Sequence, residues 1–136
     1  MNVYLDSSIV LRIALGEPAA LRDWSNITNP VSSELTRIEC LRTIDRARVQ
    51  RRLDEPAVSR VRADLLRTID TFTLIELDGA VKARAAEPFP TLLRTLDAIH
   101  LASALLARER IEGLLFATHD RELEIAARSM GFEVLA

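Results

Sequence analysis

Apolar residues recur along this chain in two kinds of segment, which alternate from one end to the other. Longer stretches carry apolar residues at helical spacing, and short runs between them have the composition of β-strands. The short runs are Val3-Tyr4-Leu5, Pro30-Val31-Ser32, Phe72 to Leu77, Leu114 to Thr118 and Phe132 to Leu135. Alternation without hairpin turns predicts parallel strands joined by right-handed crossovers. We therefore expect an α/β fold, a three-layer α/β/α sandwich with a mostly parallel central sheet.

Capping and stop residues mark where the helices begin and end. The last helix is the clearest, because a single apolar stripe is followed by Gly131, a typical stop residue. That stripe consists of Leu123, Ala126, Ala127 and Met130. The other helix signals are Pro18 in a first turn, a cap at Ser33 for a helix through Leu35, Ile38 and Leu41 to about Val49, a segment from about Asp54 to Asp70, a cap at Asp78, and a start near Leu96 after the breaker Pro88-Phe89-Pro90.

The length and composition are those of one globular domain. A chain of 136 residues with 49% apolar and 28% charged content can bury a substantial core. No repeat or linker interrupts it, so we assign residues 1–136 to a single domain. The N-terminal segment lacks the basic start and apolar stretch of a signal peptide, and no apolar run reaches membrane-spanning length. We expect a soluble, cytoplasmic protein.

The supply of soft metal ligands is small. Cys40 is the single cysteine and there are two histidines, which excludes an intrachain disulfide and argues against a zinc site. Beside Glu39, Cys40 has the character of a small core residue. Any catalytic metal is therefore expected to be bound by oxygen.

Four acids are placed where an α/β protein binds its ligands, beyond the carboxyl ends of parallel strands. Asp6 directly follows the first strand and Asp120 follows the fourth, so both reach the same edge if these strands are neighbours. Asp97 begins a helix, and Glu39 lies within one, beside the apolar Ile38 and so close to the buried face.

Each acid also has a simpler interpretation. Asp97 and Asp120 are of a type favoured at helix N-termini, and Glu39 could pair with Arg42 or Arg46. Asp6 is harder to explain, because an acid at the end of a buried strand is costly without a role. Together the four would repel one another, and Mg²⁺ or Mn²⁺ would remove that conflict and accept phosphate oxygens.

Four segments resemble the PIN-domain ribonucleases, specifically the VapC-like toxins of bacterial type II toxin–antitoxin modules. They are Tyr4-Leu5-Asp6-Ser7-Ser8, Ser33-Glu34-Leu35-Thr36-Arg37-Ile38-Glu39, Leu96-Asp97-Ala98-Ile99-His100-Leu101-Ala102-Ser103-Ala104 and Ala117-Thr118-His119-Asp120-Arg121-Glu122-Leu123. Their order and spacing match the family along nearly the whole chain. The resemblance implies a PIN-like fold, Mg²⁺ or Mn²⁺ dependence, an RNA substrate, a homodimer and a cognate antitoxin that blocks the site.

The resemblance also assigns residues. It implies that Asp6, Glu39, Asp97 and Asp120 form the catalytic and metal-binding cluster, with Thr118 as a supporting hydroxyl. Many relatives carry a further Asp where this chain has Glu122, and the longer side chain could still reach a second metal through water. Ser8 is a candidate for a hydrogen bond near the metal, although a serine at a helix start more often caps it.

The histidines and one arginine cluster are secondary candidates. His100, in an Ala- and Leu-rich helix, is better read as a packed structural residue, and we leave it out of the site. His119 at the same edge could touch RNA phosphate. The cluster Arg46, Arg48, Arg51 and Arg52 could guide RNA or contact the antitoxin, but Asp45, Asp54 and Glu55 flank it, so a solvated face is the default interpretation.

The net charge and the remaining motifs define the competing functions. A formal charge of −2 argues against broad electrostatic binding of nucleic acid, although 17 of the 18 basic residues are arginine, which suits phosphate contacts. One alternative is a catalytically inert PIN-like scaffold that only binds an antitoxin. Another is an aspartate-based phosphatase or receiver domain with Asp6 as phosphate acceptor. A resemblance to those proteins needs a second acid near the end of the first strand and a lysine after a later strand. Here Ser7 and Ser8 follow Asp6, and Lys82, the sole lysine, lies in a helical segment.

Overall fold

The computed structural model describes residues 1–17 and 20–136. The strands are β1 (Asn2–Leu5), β2 (Asn29–Ser33), β3 (Thr73–Ile75), β4 (Leu115–Ala117) and β5 (Val134–Leu135). The helices are α1 (Ser7–Ala14), α2 (Glu34–Val49), α3 (Glu55–Asp70), α4 (Gly79–Ala86), α5 (Thr95–Arg108) and α6 (Arg121–Ser129), with a 3₁₀ turn at Trp24–Asn26. The predicted segment at Pro18 lies outside the described residues.

The five strands form one fully parallel sheet in the order β3-β2-β1-β4-β5. The predicted α/β fold is therefore confirmed. The chain starts in the centre of the sheet, builds one half through β2 and β3, and then crosses to the other side of β1 for β4 and β5. Strand order thus reverses beside β1, which is the position where open parallel sheets bind ligands. The edge strands β3 and β5 are shorter than the predicted runs, because an edge strand is paired along one side only.

The core consists of two apolar layers, one on each face of the sheet. Alternation along β1 sends Tyr4 into one layer and Val3 and Leu5 into the other. Helices α5 and α6 cover the Tyr4 side, and α1, α2 and α3 cover the opposite side. All three β1 side chains are fully buried, so the strand that precedes Asp6 is held from both faces.

The capping predictions are confirmed, and one core prediction is wrong. Ser33 caps α2 through Leu35 N at 3.0 Å, and Asp78 caps α4 through Val81 N at 2.9 Å. Ile38, however, is 58% exposed, so it is not part of the buried stripe of α2. That helix is buried instead through Leu35, Thr36, Cys40 and Ile44. Within the described ranges, every helix is too short or too polar to traverse a lipid bilayer.

The end of α2 contains one strained residue. Arg51 has φ = 57°, and its amide and that of Arg52 close the helix by donating to the carbonyl oxygens of Arg48 and Ala47. This left-handed position after a helix favours glycine, because a Cβ clashes with the backbone there.

We expect Arg51→Gly to increase the free energy of unfolding by about 1 kcal/mol, since it relieves this strain. Chemical denaturation measures the effect. Arg52→Gly is the matched control: it removes the same side chain one residue later and should not stabilise the protein, because it only adds backbone freedom to the unfolded state. A loss of stability in Arg51→Gly would contradict the prediction.

Candidate active site

Two acids meet through a shared hydroxyl at the carboxyl ends of the central strands. Because Leu5 pairs with Ala117 in the β1–β4 ladder, Asp6 and Thr118 emerge at the same level. The Thr118 hydroxyl donates to Asp6 Oδ2 at 2.5 Å and accepts from the backbone N–H of Asp120 at 2.9 Å. Thr118 is 1% exposed, so water does not compete for these bonds. One buried side chain therefore sets the positions of both acids.

Asp6 and Asp120 also cap helices. Asp6 Oδ1 accepts from Ile9 N at 3.1 Å and from the Ser8 hydroxyl at 2.7 Å, and Asp120 Oδ1 accepts from Leu123 N at 2.9 Å. Asp120 therefore does cap a helix, as its simpler interpretation expects. Each cap occupies Oδ1, so Asp120 can still offer Oδ2, and Asp6 Oδ2 retains a lone pair beside the Thr118 hydroxyl. Ser8 does not cap α1; its hydroxyl donates to Asp6, which is the capping residue.

Asp97 lies in the first turn of α5, close to the other two. Burial raises the pKa of Asp97, and the negative charge of Asp120 raises it further. His100 opposes this rise, and Asp6 and Arg94 make smaller contributions, Asp6 raising the pKa and Arg94 lowering it. Asp97 is an acid in the first turn of a helix, as the simpler interpretation expects, but it is not the cap, because Arg94 occupies the N-cap position and no side chain caps α5. A carboxylate without a capping bond beside two other carboxylates is the arrangement expected where acids share a cation.

Glu39 reaches the site from α2 and is tied to the protein interior. Its side chain is 19% exposed, and Oε1 lies 2.5 Å from His100 Nε2. His100 Nδ1 lies 2.8 Å from the Tyr4 hydroxyl. The alternative interpretation, in which Glu39 is an exposed partner of Arg42 or Arg46, is not what the structure has: Glu39 contacts His100, and Arg42 pairs with Asp45 at 3.3 Å.

His100 is buried, as the sequence predicts for a packed structural residue, but it also contacts Glu39, and local sequence patterns do not identify Tyr4 as its partner. The available signal was spacing: His100 follows Asp97 by three residues on one helix face, and Tyr4 precedes Asp6 by two residues in extended backbone. Burial raises the pKa of Tyr4 well above its ordinary value, so the phenol remains protonated.

The remaining candidates are exposed or make contacts outside the acidic cluster. Glu122 is exposed in the first turn of α6, and His119 Nε2 donates to the Ala20 carbonyl oxygen at 2.6 Å. Cys40 is buried as predicted, and its burial, followed by the charges of Glu39 and Asp6, raises the pKa of its thiol to about 12. Of the arginine cluster, Arg48 pairs with Asp45 at 2.9 Å, and all four members are exposed: Arg46, Arg48, Arg51 and Arg52.

The donor set suits a hard cation that keeps much of its water. Across residues 1–17 and 20–136, no group of three or more His, Cys, Asp or Glu side chains is arranged to enclose a metal ion. Zinc prefers such a closed site, whereas Mg²⁺ is commonly bound through one or two carboxylates and several waters. Like-charged neighbours at Asp97 and the remaining lone pair of Asp6 fit that second mode.

Comparisons with known proteins agree with the fold. A PIN-domain family model matches residues 3–129. Ribonuclease VapC46 of Mycobacterium tuberculosis is 36% identical over 138 residues, covering 98% of this chain and 96% of the relative. A toxin–antitoxin complex from Klebsiella pneumoniae superposes with a TM-score of 0.70 at 16% identity, covering 99% of this chain and 97% of that one. VapBC2 from Rickettsia felis, bound to a promoter DNA fragment, gives a TM-score of 0.71 at 10% identity over the whole of both chains. The two structural matches show a shared fold.

Replacing Thr118 tests the shared hydroxyl. Thr118→Val keeps the shape but leaves Asp6 Oδ2 and the Asp120 amide without their buried partner, so we expect a loss of about 1 to 3 kcal/mol in the free energy of unfolding. Thr118→Ser should lose less. Thr71→Val, whose hydroxyl is exposed at the end of α3, is the control and should change stability little. Equal effects in the two valine variants would contradict the assignment.

Asp97→Asn tests whether the carboxylate is under repulsion. Because its pKa is raised on folding, the folded state takes up this proton at a higher pH than the unfolded chain, and the ionised carboxylate destabilises the protein at neutral pH. That penalty fades as the pH falls towards about 4, the ordinary pKa of aspartic acid. Without metal, Asp97→Asn should therefore be as stable as wild type or more so at neutral pH, with the advantage shrinking in acid. Clear destabilisation at neutral pH in thermal unfolding would contradict this.

Proposed function

This chain belongs to the PIN-domain family, and from that premise we propose that it is a divalent-metal-dependent endoribonuclease, the toxin of a type II toxin–antitoxin pair. The observation that carries the proposal is the cluster of Asp6, Asp97 and Asp120 where the strand order of the sheet reverses; Glu39 is linked to the helix that carries Asp97 through His100. Relatives sharing about a third of their residues with this chain over nearly their full length are named ribonucleases.

One or two of the four acids would hold Mg²⁺ or Mn²⁺ directly and the others through water, and the ion would supply Lewis-acid activation of water and neutralise phosphate charge when bound. Asp6, Asp97 and Asp120 present the oxygens that their capping and threonine contacts leave available. Thr118 and Ser8 orient Asp6 by donating hydrogen bonds to it. Glu39 on α2 would be the fourth acid of this site. Glu122, exposed in the first turn of α6, is the candidate for an outer contact through water.

Hydrolysis without a covalent intermediate follows from the side chains at hand. Cys40 is buried and its thiol stays protonated, so it does not serve as a nucleophile. Asp6 is an unsuitable phosphate acceptor, because both of its oxygens accept hydrogen bonds and the sole lysine, Lys82, is exposed on α4. Direct attack of water on the phosphodiester is therefore the step that this site supports.

A cognate antitoxin is the expected protein partner, and a homodimer the expected assembly. The antitoxin proposal draws on the shared fold of the toxin–antitoxin complex from Klebsiella pneumoniae and on the relatives' names. An antitoxin that blocks the acidic edge would prevent entry of both metal and RNA.

The test is cleavage of total RNA by the purified, antitoxin-free protein with Mg²⁺, with Mn²⁺ and with chelator. We expect cleavage that requires metal, and we expect Asp97→Asn to lower the rate by at least about 100-fold, since it removes a ligand charge. Gel analysis and mapping of the new RNA ends provide the measurement.

Asp70→Asn makes the same chemical change at an exposed position at the end of α3, and it should retain wild-type cleavage. The absence of metal-dependent cleavage of any RNA by folded wild-type protein would instead favour an inert scaffold. Formation of an aspartyl-phosphate on Asp6 with an acyl phosphate donor would favour the phosphatase alternative.

A further inference from the structure

A buried polar chain runs from the central strand to one acid of the site. Tyr4 on β1 and His100 on α5 are 0% and 1% exposed, and their side chains meet at 2.8 Å between the hydroxyl and Nδ1. The other ring nitrogen of His100 lies 2.5 Å from Glu39 Oε1 on α2. Three elements that come together only in the folded protein are thus linked by two hydrogen bonds.

The chemistry of Tyr4, His100 and Glu39 determines which group donates and which accepts in each of the two hydrogen bonds. An ionised carboxylate only accepts hydrogen bonds, so His100 Nε2 must carry a proton and donate it to Glu39. In a neutral imidazole Nδ1 is then the acceptor, and the Tyr4 hydroxyl donates to it. Each group makes the bond that its neighbour requires.

We propose that His100 and Tyr4 are positioning residues that hold Glu39 at the metal site, an inference that rests on the proposed function. The side chain of Glu39 has three rotatable bonds and stands on a helix surface, beside the exposed Ile38. The bond from His100 selects one orientation and occupies Oε1, so Oε2 is the oxygen that remains for the metal. The hydroxyl of Tyr4 in turn selects the imidazole tautomer that can donate to Glu39.

A purely structural role does not account for this arrangement as well. Leucine or methionine in place of His100 would fill this buried position beside the Tyr4 ring without requiring a partner. Burying two polar groups is costly unless both are hydrogen-bonded. Tyr4 and His100 meet that condition because they bond to each other and His100 also bonds to Glu39.

Mn²⁺ affinity, measured by calorimetry on the metal-free protein, separates positioning from packing. We expect His100→Leu to weaken binding by about 10-fold or more, as outer-shell substitutions commonly do. His100→Gln, which keeps an N–H donor near the position of Nε2, should recover part of the loss. Tyr4→Phe, which removes one oxygen and keeps the stacking on Phe116, should show a smaller loss of the same kind.

The decisive comparison is a double-mutant cycle. If His100 acts through Glu39, then adding His100→Leu to Glu39→Gln should weaken binding by less than about 2-fold beyond Glu39→Gln alone. Fully multiplicative losses would overturn the proposal. Leu105→Ala is the packing control: it destabilises the same helix and should leave Mn²⁺ affinity unchanged.

Nitrogen NMR of His100 in the metal-free protein supplies a readout independent of metal. We expect a proton on Nε2, and an unprotonated Nε2 would overturn the assignment. The failures remain distinguishable: wild-type protein that binds no Mn²⁺ rejects the metal site of the proposed function and the positioning role with it. Protein that binds Mn²⁺ with independent losses rejects positioning alone.

Discussion

Electrostatic repulsion among acids that the fold brings to one edge of the sheet is the constraint around which this structure is organised. Three of these acids are restrained by specific donors: Asp6 by Thr118, Ser8 and a helix amide, Asp120 by a helix amide, and Glu39 by His100. Asp97 has no such capping bond, and it is the one whose pKa is raised by burial and by like charges. The stabilising interactions of the site therefore come from the surrounding protein, and under the proposed function a bound cation would relieve the repulsion that remains.

Helix capping and site chemistry are combined in the same side chains. Asp6 begins α1 and Asp120 begins α6, so the bonds that start two helices also orient two carboxylates. The amide donors and helix dipoles at these N-termini attract the two side chains, and this attraction partly offsets the mutual repulsion of the acids. A substitution at either position would disturb the local fold and the site together, whereas Asp97 can be replaced without removing a cap.

The two-layered core explains how the site keeps its geometry without a closed cage of ligands. β1 is central in the sheet and buried on both faces, so Asp6 projects from the most constrained strand of the molecule. The pairing of Leu5 with Ala117 then sets the level at which Thr118 meets Asp6. α5 packs on the Tyr4 face and carries both Asp97 and His100, so the apolar layer beneath the site also holds its polar chain.

The sequence by itself determined the alternation of strands and helices, the caps at Ser33 and Asp78, and the set of acids at strand and helix ends. These features depend on short-range spacing and capping, which neighbouring residues encode directly. Only the tertiary structure decided that Ile38 faces outward, that β3 and β5 are short, and that His100 joins Glu39 to Tyr4. Those outcomes depend on which strands are neighbours and on contacts between residues 61 and 96 positions apart, and no local pattern specifies such partners.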